Sequence, residues 1–369
     1  MVLILRKCKK DGSSRNGFVY GKTGDIVTAP DWDPTPECGK GLHGLKQANG
    51  DWRLLEGDDW LVIEANDKDV VDIDNYKCKF RTGKILYRGD VEGLHQYASV
   101  MDTDADSTLQ WAKVIGDREI MIDRVTDSEH AFNWARQIGD KEIMRDRVTE
   151  SKWAFEWACH IGDRESMRDR ITESKWAYKW AINIGDREIM IDRVAESTWA
   201  FNWALDFGDR EIMIGRVTDS YSALQWAMHI GDKEIMRDRV TKSQDALHWA
   251  RCIGDREIMR DRITESQYAF YWANSIGDRE IMRERVTDSE YAYFWARNIG
   301  DKEIMRDRIT ESKWAYEWVK IFGERDIMRE RITESKWAFN WARKIGDKEI
   351  MRERITEPFW INEFNKLPS

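Results

Sequence analysis

The chain has 369 residues, of which 41 % are hydrophobic and 34 % are charged, so it can build a folded core and is not expected to be disordered. Its net charge of −9, from 59 basic and 68 acidic side chains, argues against a polybasic nucleic-acid binder. No apolar run approaches the ~20 residues that cross a bilayer, no secretory signal is visible, and five scattered cysteines are typical of reduced thiols. We therefore expect a cytoplasmic protein that does not enter a membrane.

Residues 1–90 are predicted to form a small β-rich head domain. Short apolar or alternating runs are separated by Gly, Asp and Pro, which is the pattern of strands joined by turns. Residues 91–106 are the predicted junction, and we expect them to contain a short helix. The predicted strands cover residues 2–5, 17–20, 25–29, 60–65, 70–73 and 85–87.

The head also contains a group of residues with potential chemistry, namely Cys38, His43 and Cys78. A cysteine and a histidine can act as nucleophile and base, and the same side chains can bind a metal. The sequence has no C-x₂-C pair here and no second histidine close by. In the glycine-rich stretch 39–44 we favour a structural role for His43, and we predict no metal site and no cofactor. Catalysis or ligand binding at Cys38 and His43 is the alternative.

Three motifs occur in the head in a fixed order: APDW at 29–32, ECGKGLHG at 37–44 and WLVIE at 60–64. With these motifs, residues 1–90 resemble an uncharacterised domain of phage and bacterial proteins that precedes repetitive regions of several kinds. The resemblance implies a modular head joined to a repeat array, and a phage or mobile-element origin. The family brings no established activity and no catalytic residues, so it implies no role for any residue of this chain.

Residues 107–357 contain eleven copies of a 23-residue repeat. A glycine stands every 23 residues from Gly116 to Gly346, with Trp five positions before it, Met five after and Arg eight after in every copy. In one copy, an apolar stripe with helical spacing ends at Gly162, which is typical of a glycine just past a helix C-terminus. A second short helix follows, and Ser151 and Asp163 are the predicted N-caps of the two helices.

Helices this short are not stable alone, so each repeat must bury its Trp-rich face against its neighbours. The sequence therefore predicts an α+β protein, in which the β-rich head is followed by an α-solenoid of eleven two-helix repeats. Residues 358–369 depart from the repeat and are predicted to form a C-terminal cap.

The invariant columns of the repeat are interpreted as a structural ladder. Trp and Met at helical spacing are typical of a core, and we expect the apolar columns of the second helix, at Ile143, Met144 and Val148, to contribute to it. The Arg column is never replaced by Lys, which indicates that a planar guanidinium joins neighbouring repeats, with a ladder of phosphate contacts as the alternative. Representative ladder residues are Trp157, Met167, Arg170, Trp180, Arg193 and Arg239.

Repeats four to six carry apolar residues at columns where most copies are charged or polar. Exposed apolar patches mark interaction surfaces, so we predict that this segment binds a protein partner or a second copy of the chain, with locally deeper burial as the alternative. The predicted partner-binding residues are Ile182, Ile191, Leu205, Ile214, Tyr221 and Met228.

These features favour a non-enzymatic, protein-binding scaffold, because solenoids offer long surfaces and the array has no nucleophile, metal cluster or phosphate-binding loop. With the phage-like head, we expect it to engage a host or virion protein in the host cytoplasm, and interference with host defence is one version. One alternative is an enzymatic, small-ligand or metal-binding head that the solenoid targets. Nucleic-acid binding along the Arg and Lys ladder is a second alternative, which the adjacent acidic columns disfavour.

Overall fold

A computed structural model describes residues 1–75 and 77–367. Two compact units, Met1–Val194 and Ala195–Ser369, are described separately below. The predicted fold class is confirmed, because an antiparallel sheet is followed by helices that recur in pairs with the 23-residue period of an α-solenoid.

The head is an antiparallel sheet with the strand order β2-β7-β4-β1-β3-β6-β5. Its central pair, β1 and β4, runs in register from Val2 opposite Ala65 to Cys8 opposite Asp59. The apolar side chains of these strands form the core of the head. The strands are β1 (Val2–Cys8), β2 (Ile26–Thr28), β3 (Leu42–Lys46), β4 (Asp59–Ala65), β5 (Val70–Asp74), β6 (Lys77–Phe80) and β7 (Thr82–Gly89).

Two strands of the head were not predicted, and one predicted strand is wrong. Residues 17–20 make a single bridge, between Ser13 and Val19, and no strand. β3 escaped prediction because it contains Gly44, which the packing requires: a Cβ there would lie 2.4 Å from Cγ2 of Ile4. β6 looks polar in sequence, yet Lys79 is 1 % exposed and donates from Nζ to the carbonyl oxygen of Glu37 at 3.0 Å.

The predicted junction joins the head to the first repeat through a 3-10 helix, Glu92–Tyr97. His95 in this helix lies 2.8 Å, Nδ1 to Oδ1, from Asp117 of the first repeat. Asn49 of the head donates from Nδ2 to the carbonyl oxygen of Asp102 at 2.9 Å, and its Oδ1 accepts the backbone N–H of Asp104 at 2.7 Å. The first repeat is therefore fixed to the head by polar contacts at both ends of the junction.

Each repeat consists of a longer helix followed by a shorter one. The helices of the first unit are α1 (Ala105–Val114), α2 (Arg118–Met121), α3 (Ser128–Gln137), α4 (Lys141–Arg147), α5 (Ser151–His160), α6 (Arg164–Arg168), α7 (Ser174–Asn183) and α8 (Arg187–Met190). Those of the second unit are α9 (Ser197–Phe207), α10 (Arg210–Met213), α11 (Ser220–His229), α12 (Lys233–Arg237), α13 (Ser243–Cys252), α14 (Arg256–Asp261), α15 (Ser266–Ser275), α16 (Arg279–Arg285), α17 (Ser289–Asn298), α18 (Lys302–Asp307), α19 (Ser312–Phe322), α20 (Arg325–Arg329), α21 (Ser335–Lys344), α22 (Lys348–Arg354) and α23 (Pro358–Asn365). Short 3-10 helices are Trp52–Leu54, Asp67–Asp69, Ile122–Arg124, Ile191–Arg193 and Ile214–Arg216.

In ten of the eleven repeats the turn between the two helices has two successive residues in the left-handed region; the exception is the turn at Asp209, whose φ is −65°. Gly139 has φ of 118° and Asp140 has φ of 53°. The backbone N–H of Gly139 donates to the carbonyl oxygen of Trp134 at 3.2 Å, which closes the first helix. The aspartate side chain does not cap the second helix, so that prediction is wrong. Instead Asp140 Oδ2 accepts the indole N–H of Trp134 at 3.0 Å.

The serine that begins ten of the eleven repeats does not cap its own helix, which corrects a second prediction. Helix α5 begins at Ser151, and its N-cap is Glu150. The Ser151 hydroxyl instead reaches the end of its own repeat, directly before α7, where it accepts the backbone N–H groups of Thr172 (2.9 Å) and Glu173 (3.3 Å). Ser151 is 2 % exposed, so these bonds satisfy backbone groups at the buried point where one repeat ends and the next begins.

One repeat lacks the bond between indole and carboxylate that the others make. Ser166 stands where ten repeats have isoleucine, and its hydroxyl donates to Asp163 Oδ1 at 2.7 Å. Within the described residues, Nε1 of Trp157 is buried without a hydrogen-bond partner. We expect Ser166→Ile to restore the Trp157–Asp163 bond and to raise the free energy of unfolding by about 1 kcal/mol, measured by urea denaturation. The equivalent exchange Ile281→Ser should destabilise; a neutral result for both changes would contradict the competition for Asp163.

Candidate functional site

The arginine eight positions after each glycine binds the end of the preceding repeat. Arg170 donates from Nη1 to the carbonyl oxygens of Arg145 and Val148, and its Nη2 lies 3.5 Å from the carboxylate between them. Arg193 and Arg239 bind the equivalent pairs of carbonyl oxygens. One guanidinium thus serves three acceptors, which a lysine ammonium cannot reproduce in this planar arrangement. The guanidinium groups of Arg170, Arg193 and Arg239 are therefore occupied by hydrogen bonds within their own unit.

The tryptophan and methionine columns lie in the core. Trp157 is 1 % exposed, and Met167 and Trp180 are fully buried. Aromatic rings also meet between neighbouring repeats, as in the contact of Phe155 with Trp176 at 5.5 Å between centroids. These side chains are therefore not available to a partner.

A second arginine, six positions after the glycine in eight of the repeats, lies beside the next repeat. Nη1 of Arg145 is 3.8 Å from Asp163 Oδ2, and Nη1 of Arg283 is 4.0 Å from Asp301 Oδ1. Each of these aspartates directly follows the glycine of the next repeat. The guanidinium therefore covers the surface between two successive short helices, and its positive charge lies close to the negative charge of the aspartate.

The residues predicted to bind a partner differ in exposure. Four of them have large exposed surfaces: Ile182 (49 %), Leu205 (52 %), Tyr221 (57 %) and Met228 (39 %). Ile191 in the first unit and Ile214 in the second are half-buried. The two isoleucines occupy the column where eight other repeats have the covering arginine.

Ile214 lines a cleft of about 800 Å³ in the second unit, between the short helices of successive repeats. Ile212 and Ile235 form the rest of its apolar surface, and both are 49 % exposed. The polar part of the wall consists of three carboxylates and one guanidinium, so the cleft is acidic. Its remaining lining residues are Gly208, Asp209, Arg210, Glu211 and Asp232.

The cleft exists because two residues depart from the repeat pattern. Ile214 replaces the arginine that elsewhere lies beside the next repeat's aspartate, here Asp232. Gly215 replaces the acidic residue that follows this arginine in other repeats, and no atom lies within 4 Å of where its Cβ would be. Asp232 keeps the indole N–H of Trp226 at 3.0 Å. Without the arginine and the acidic side chain of the other repeats, an apolar surface lies open beside the Asp232 carboxylate.

Sequence reasoning missed Ile212 and Ile235 because it assigned the whole isoleucine column to the core. Ile143, predicted to be buried, is 50 % exposed, whereas the adjacent Met144 is fully buried. Neighbouring positions on a helix point about 100° apart, so the methionine faces the core and the isoleucine lies at its edge. The signal that could have located the cleft is the isoleucine column next to the break in the arginine column at 214–215.

The head places Cys38 and His43 at one basic pocket of about 260 Å³. Cys38 is exposed, and its sulfur accepts a hydrogen bond from Nζ of Lys77 at 2.9 Å. His43 is half-buried, and desolvation together with the nearby Arg6 lowers its pKa. Cys78 is buried, which raises the pKa of its thiol to about 12. In residues 1–75 and 77–367, no cluster of three or more His, Cys, Asp or Glu side chains could hold a metal.

The described helices are all too short or too polar to cross a membrane. No protein-family model matches this chain, and no curated protein matches it. Two features of the molecule therefore bear on its function, namely the acidic cleft of the array and the basic pocket of the head.

Proposed function

We propose that the protein is a non-enzymatic protein-binding scaffold. Its binding site is the cleft lined by Ile212, Ile214 and Ile235, and its occupant is a protein segment with an arginine or lysine beside an apolar side chain. The observation that carries this proposal is the replacement of the covering arginine by Ile214 together with that of the following acidic residue by Gly215. No other repeat has this combination, and an apolar and acidic surface lies open beside it.

The chemistry of the partner follows from what other repeats place at the same position. There the array's own guanidinium lies about 4 Å from the aspartate of the next repeat, as with Arg283 and Asp301 (4.0 Å). At the cleft, Asp232 has no such arginine in the preceding repeat. A cation from a partner can take this place, while its apolar neighbour covers Ile212 and Ile235. Glu211 adds a further negative charge.

The biological setting rests on the resemblance of residues 1–90 to a phage and bacterial domain. On that ground we propose a phage- or mobile-element-encoded protein that engages a host or virion protein in the host cytoplasm, with interference with host defence as one version. Nucleic-acid binding along the ladder is less compatible with the structure. Arg145, for example, lies 3.3 Å from Asp146 and 3.8 Å from Asp163, so its charge is balanced locally.

The cleft can be closed with the array's own consensus residues. The double change Ile214→Arg and Gly215→Asp restores the pattern of the other repeats, and the space around Gly215 accepts a side chain. We expect the thermal stability to be unchanged or slightly higher, because the new guanidinium can pair with Asp232, whereas partner binding should be lost. Ile122→Arg, which makes the same exchange in the first repeat, is the matched control and should leave binding intact.

A peptide library tests binding at the cleft directly. A displayed library of random linear peptides is selected on the full wild-type chain, and the affinity of each enriched peptide is then measured for wild type and for the Ile214→Arg, Gly215→Asp variant. We expect enrichment of peptides with Arg or Lys next to an apolar residue, and about a tenfold or greater loss of affinity for the double variant. Binding that survives the double change, or enrichment of acidic peptides, would contradict the proposal. A wild-type dimer that the double variant abolishes would instead make a second copy the occupant.

A further inference from the structure

The basic pocket of the head adjoins a second cavity, and both are built around Arg6 and His43. Arg6 lies on β1 and His43 on β3, and Nη1 of Arg6 donates to the carbonyl oxygen of His43. The first cavity, about 260 Å³, extends towards Cys38. The second, about 380 Å³, extends towards Tyr20, and Asn16 lines both. Together they form a site of the size that a small organic molecule needs.

Three buried polar atoms at this site have no hydrogen-bond partner in the part of the chain that the structure describes. They are Nε of Arg6, the hydroxyl oxygen of Tyr20 and Nε2 of His43. Tyr20 is only 1 % exposed, and its ring lies 4.9 Å below Cζ of Arg6. A buried polar group without a partner costs about 1–3 kcal/mol, so three at one cavity wall indicate that a ligand supplies their partners. All three residues line the second cavity.

The charge of the first cavity selects an anion. Its lining contains four cationic side chains and one carboxylate, Glu56, which already lies 3.7 Å from Arg15. Desolvation and the neighbouring Arg6 lower the pKa of His43, so the imidazole is neutral near pH 7 and can donate one hydrogen bond. Asp31 is the carboxylate of the second cavity, and its Oδ1 accepts the backbone N–H of Gly41 at 3.2 Å. The cationic residues of the first cavity are Arg6, Lys7, Arg15 and Lys77.

We propose that this pocket binds a small organic phosphate, a site that lies apart from the protein-binding cleft and does not depend on it. The dianionic phosphate lies against Arg6 and Lys77, because an excess of cations favours a multiply charged group over a single carboxylate. The organic part covers Leu54, which is 49 % exposed, and Leu55 beside it. The Tyr20 hydroxyl and His43 bind polar atoms of the ligand in the second cavity.

Cys38 is a built-in reporter for occupancy, because it is exposed and lines the first cavity. The full chain is alkylated with iodoacetamide, and the rate at each cysteine is read by peptide mass spectrometry. Exposed Cys159 and Cys252 in the array serve as internal controls. We expect inorganic phosphate and AMP to slow alkylation of Cys38 by about fivefold or more at saturation, and to leave the two control rates unchanged. Chloride and acetate at the same ionic strength should have little effect.

Two variants connect the protection to the pocket. Lys77→Gln should raise the phosphate concentration needed for half-protection of Cys38 by about tenfold, whereas Lys22→Gln, an exposed lysine outside the lining, should not change it. Lys77 also contacts the thiol, so its replacement can change the alkylation rate of Cys38 by itself. The protection of each variant is therefore calculated relative to its own alkylation rate without phosphate. Tyr20→Phe should leave the melting temperature of the ligand-free protein unchanged or higher, yet weaken protection by AMP.

Three outcomes would overturn the proposal. Phosphate and AMP could leave Cys38 unprotected, acetate could protect it as well as phosphate does, or Lys22→Gln could weaken protection as much as Lys77→Gln. Peptide binding at the Ile214 cleft is measured in a separate experiment. If no peptide bound there, the protection of Cys38 by phosphate and AMP would still be expected.

Discussion

Replacing Trp272 with alanine is expected to lower the free energy of unfolding of the second unit by about 3–5 kcal/mol. Trp272 is fully buried, and its indole N–H donates to Asp278 Oδ2 at 3.1 Å. The alanine leaves a cavity in the layer between neighbouring repeats and removes the donor from the carboxylate. Because each repeat is stabilised mainly by its neighbours, this loss cannot be absorbed elsewhere in the array. Urea denaturation followed by far-UV circular dichroism measures the change.

Trp272→Phe separates the two contributions. Phenylalanine keeps most of the apolar contacts but cannot donate to Asp278, so we expect a smaller loss, about 1–2 kcal/mol. If the free energy of unfolding of Trp272→Ala differed from that of wild type by less than about 0.5 kcal/mol, the tryptophan column would not be the core of the array.

Replacing Arg285 with methionine should have the second-largest effect. Its Nη1 donates to the carbonyl oxygens of Arg260 and Ile263, the latter at 2.8 Å, and its Nη2 to Asp261 at 3.4 Å. Methionine keeps the apolar stem and leaves these acceptors without their donor. We expect a loss of about 2–4 kcal/mol in the free energy of unfolding. Arg285→Lys keeps the charge but not the planar fork, and should lose about 1–2 kcal/mol.

The same helix, α16, supplies a matched control. Arg283 lies two residues earlier and pairs with Glu284 at 3.1 Å on the surface. Surface ion pairs contribute about 0–1 kcal/mol, so Arg283→Met should be nearly neutral. Equal losses for Arg283→Met and Arg285→Met, measured by the same urea denaturation, would show that the two columns do not differ in role.

The period of the sequence was enough to predict the architecture of the array. The glycine that ends each first helix has a positive φ throughout, and the tryptophan five residues before it is buried in every copy. Both features depend on local rules, namely the conformational freedom of glycine and the spacing of one helix face. A sequence shows such rules directly, and eleven copies make them unmistakable.

Side-chain partners beyond the nearest helix turn could not be predicted in the same way. Ser151 has the composition and place of an N-cap, yet its partners are 21 and 22 residues away, at Thr172 and Glu173. Asp140 has the place of a cap too, but its left-handed backbone turns its side chain to Trp134. In both cases a local rule suggested one partner and the fold of the whole repeat supplied another. The exposed isoleucines were missed for the same reason, since their neighbours belong to adjacent repeats.

The candidate sites lie where the sequence departs from its own pattern. The substitutions at Ile214 and Gly215 were visible as breaks in two columns, so the approximate position of the cleft could be predicted. Its companions Ile212 and Ile235 could not, because their exposure depends on the rotation of the short helices. In the head, Cys38 and His43 stand out by residue type, but Arg6 and Lys77 join them only through the pairing of β1 with β3 and of β3 with β6. Tyr20 lies outside these strands and joins the site through the contact of its ring with Arg6.

Hydrogen exchange of the full chain with and without a selected basic and apolar peptide tests the central claim most directly. We expect slower exchange in residues 208–235, which contain Ile212, Ile214 and Ile235, and no change in residues 1–90. In the Ile214→Arg, Gly215→Asp variant the same peptide should change nothing. Slower exchange confined to the head, or protection at 208–235 that persists in the double variant, would contradict the cleft as the binding site.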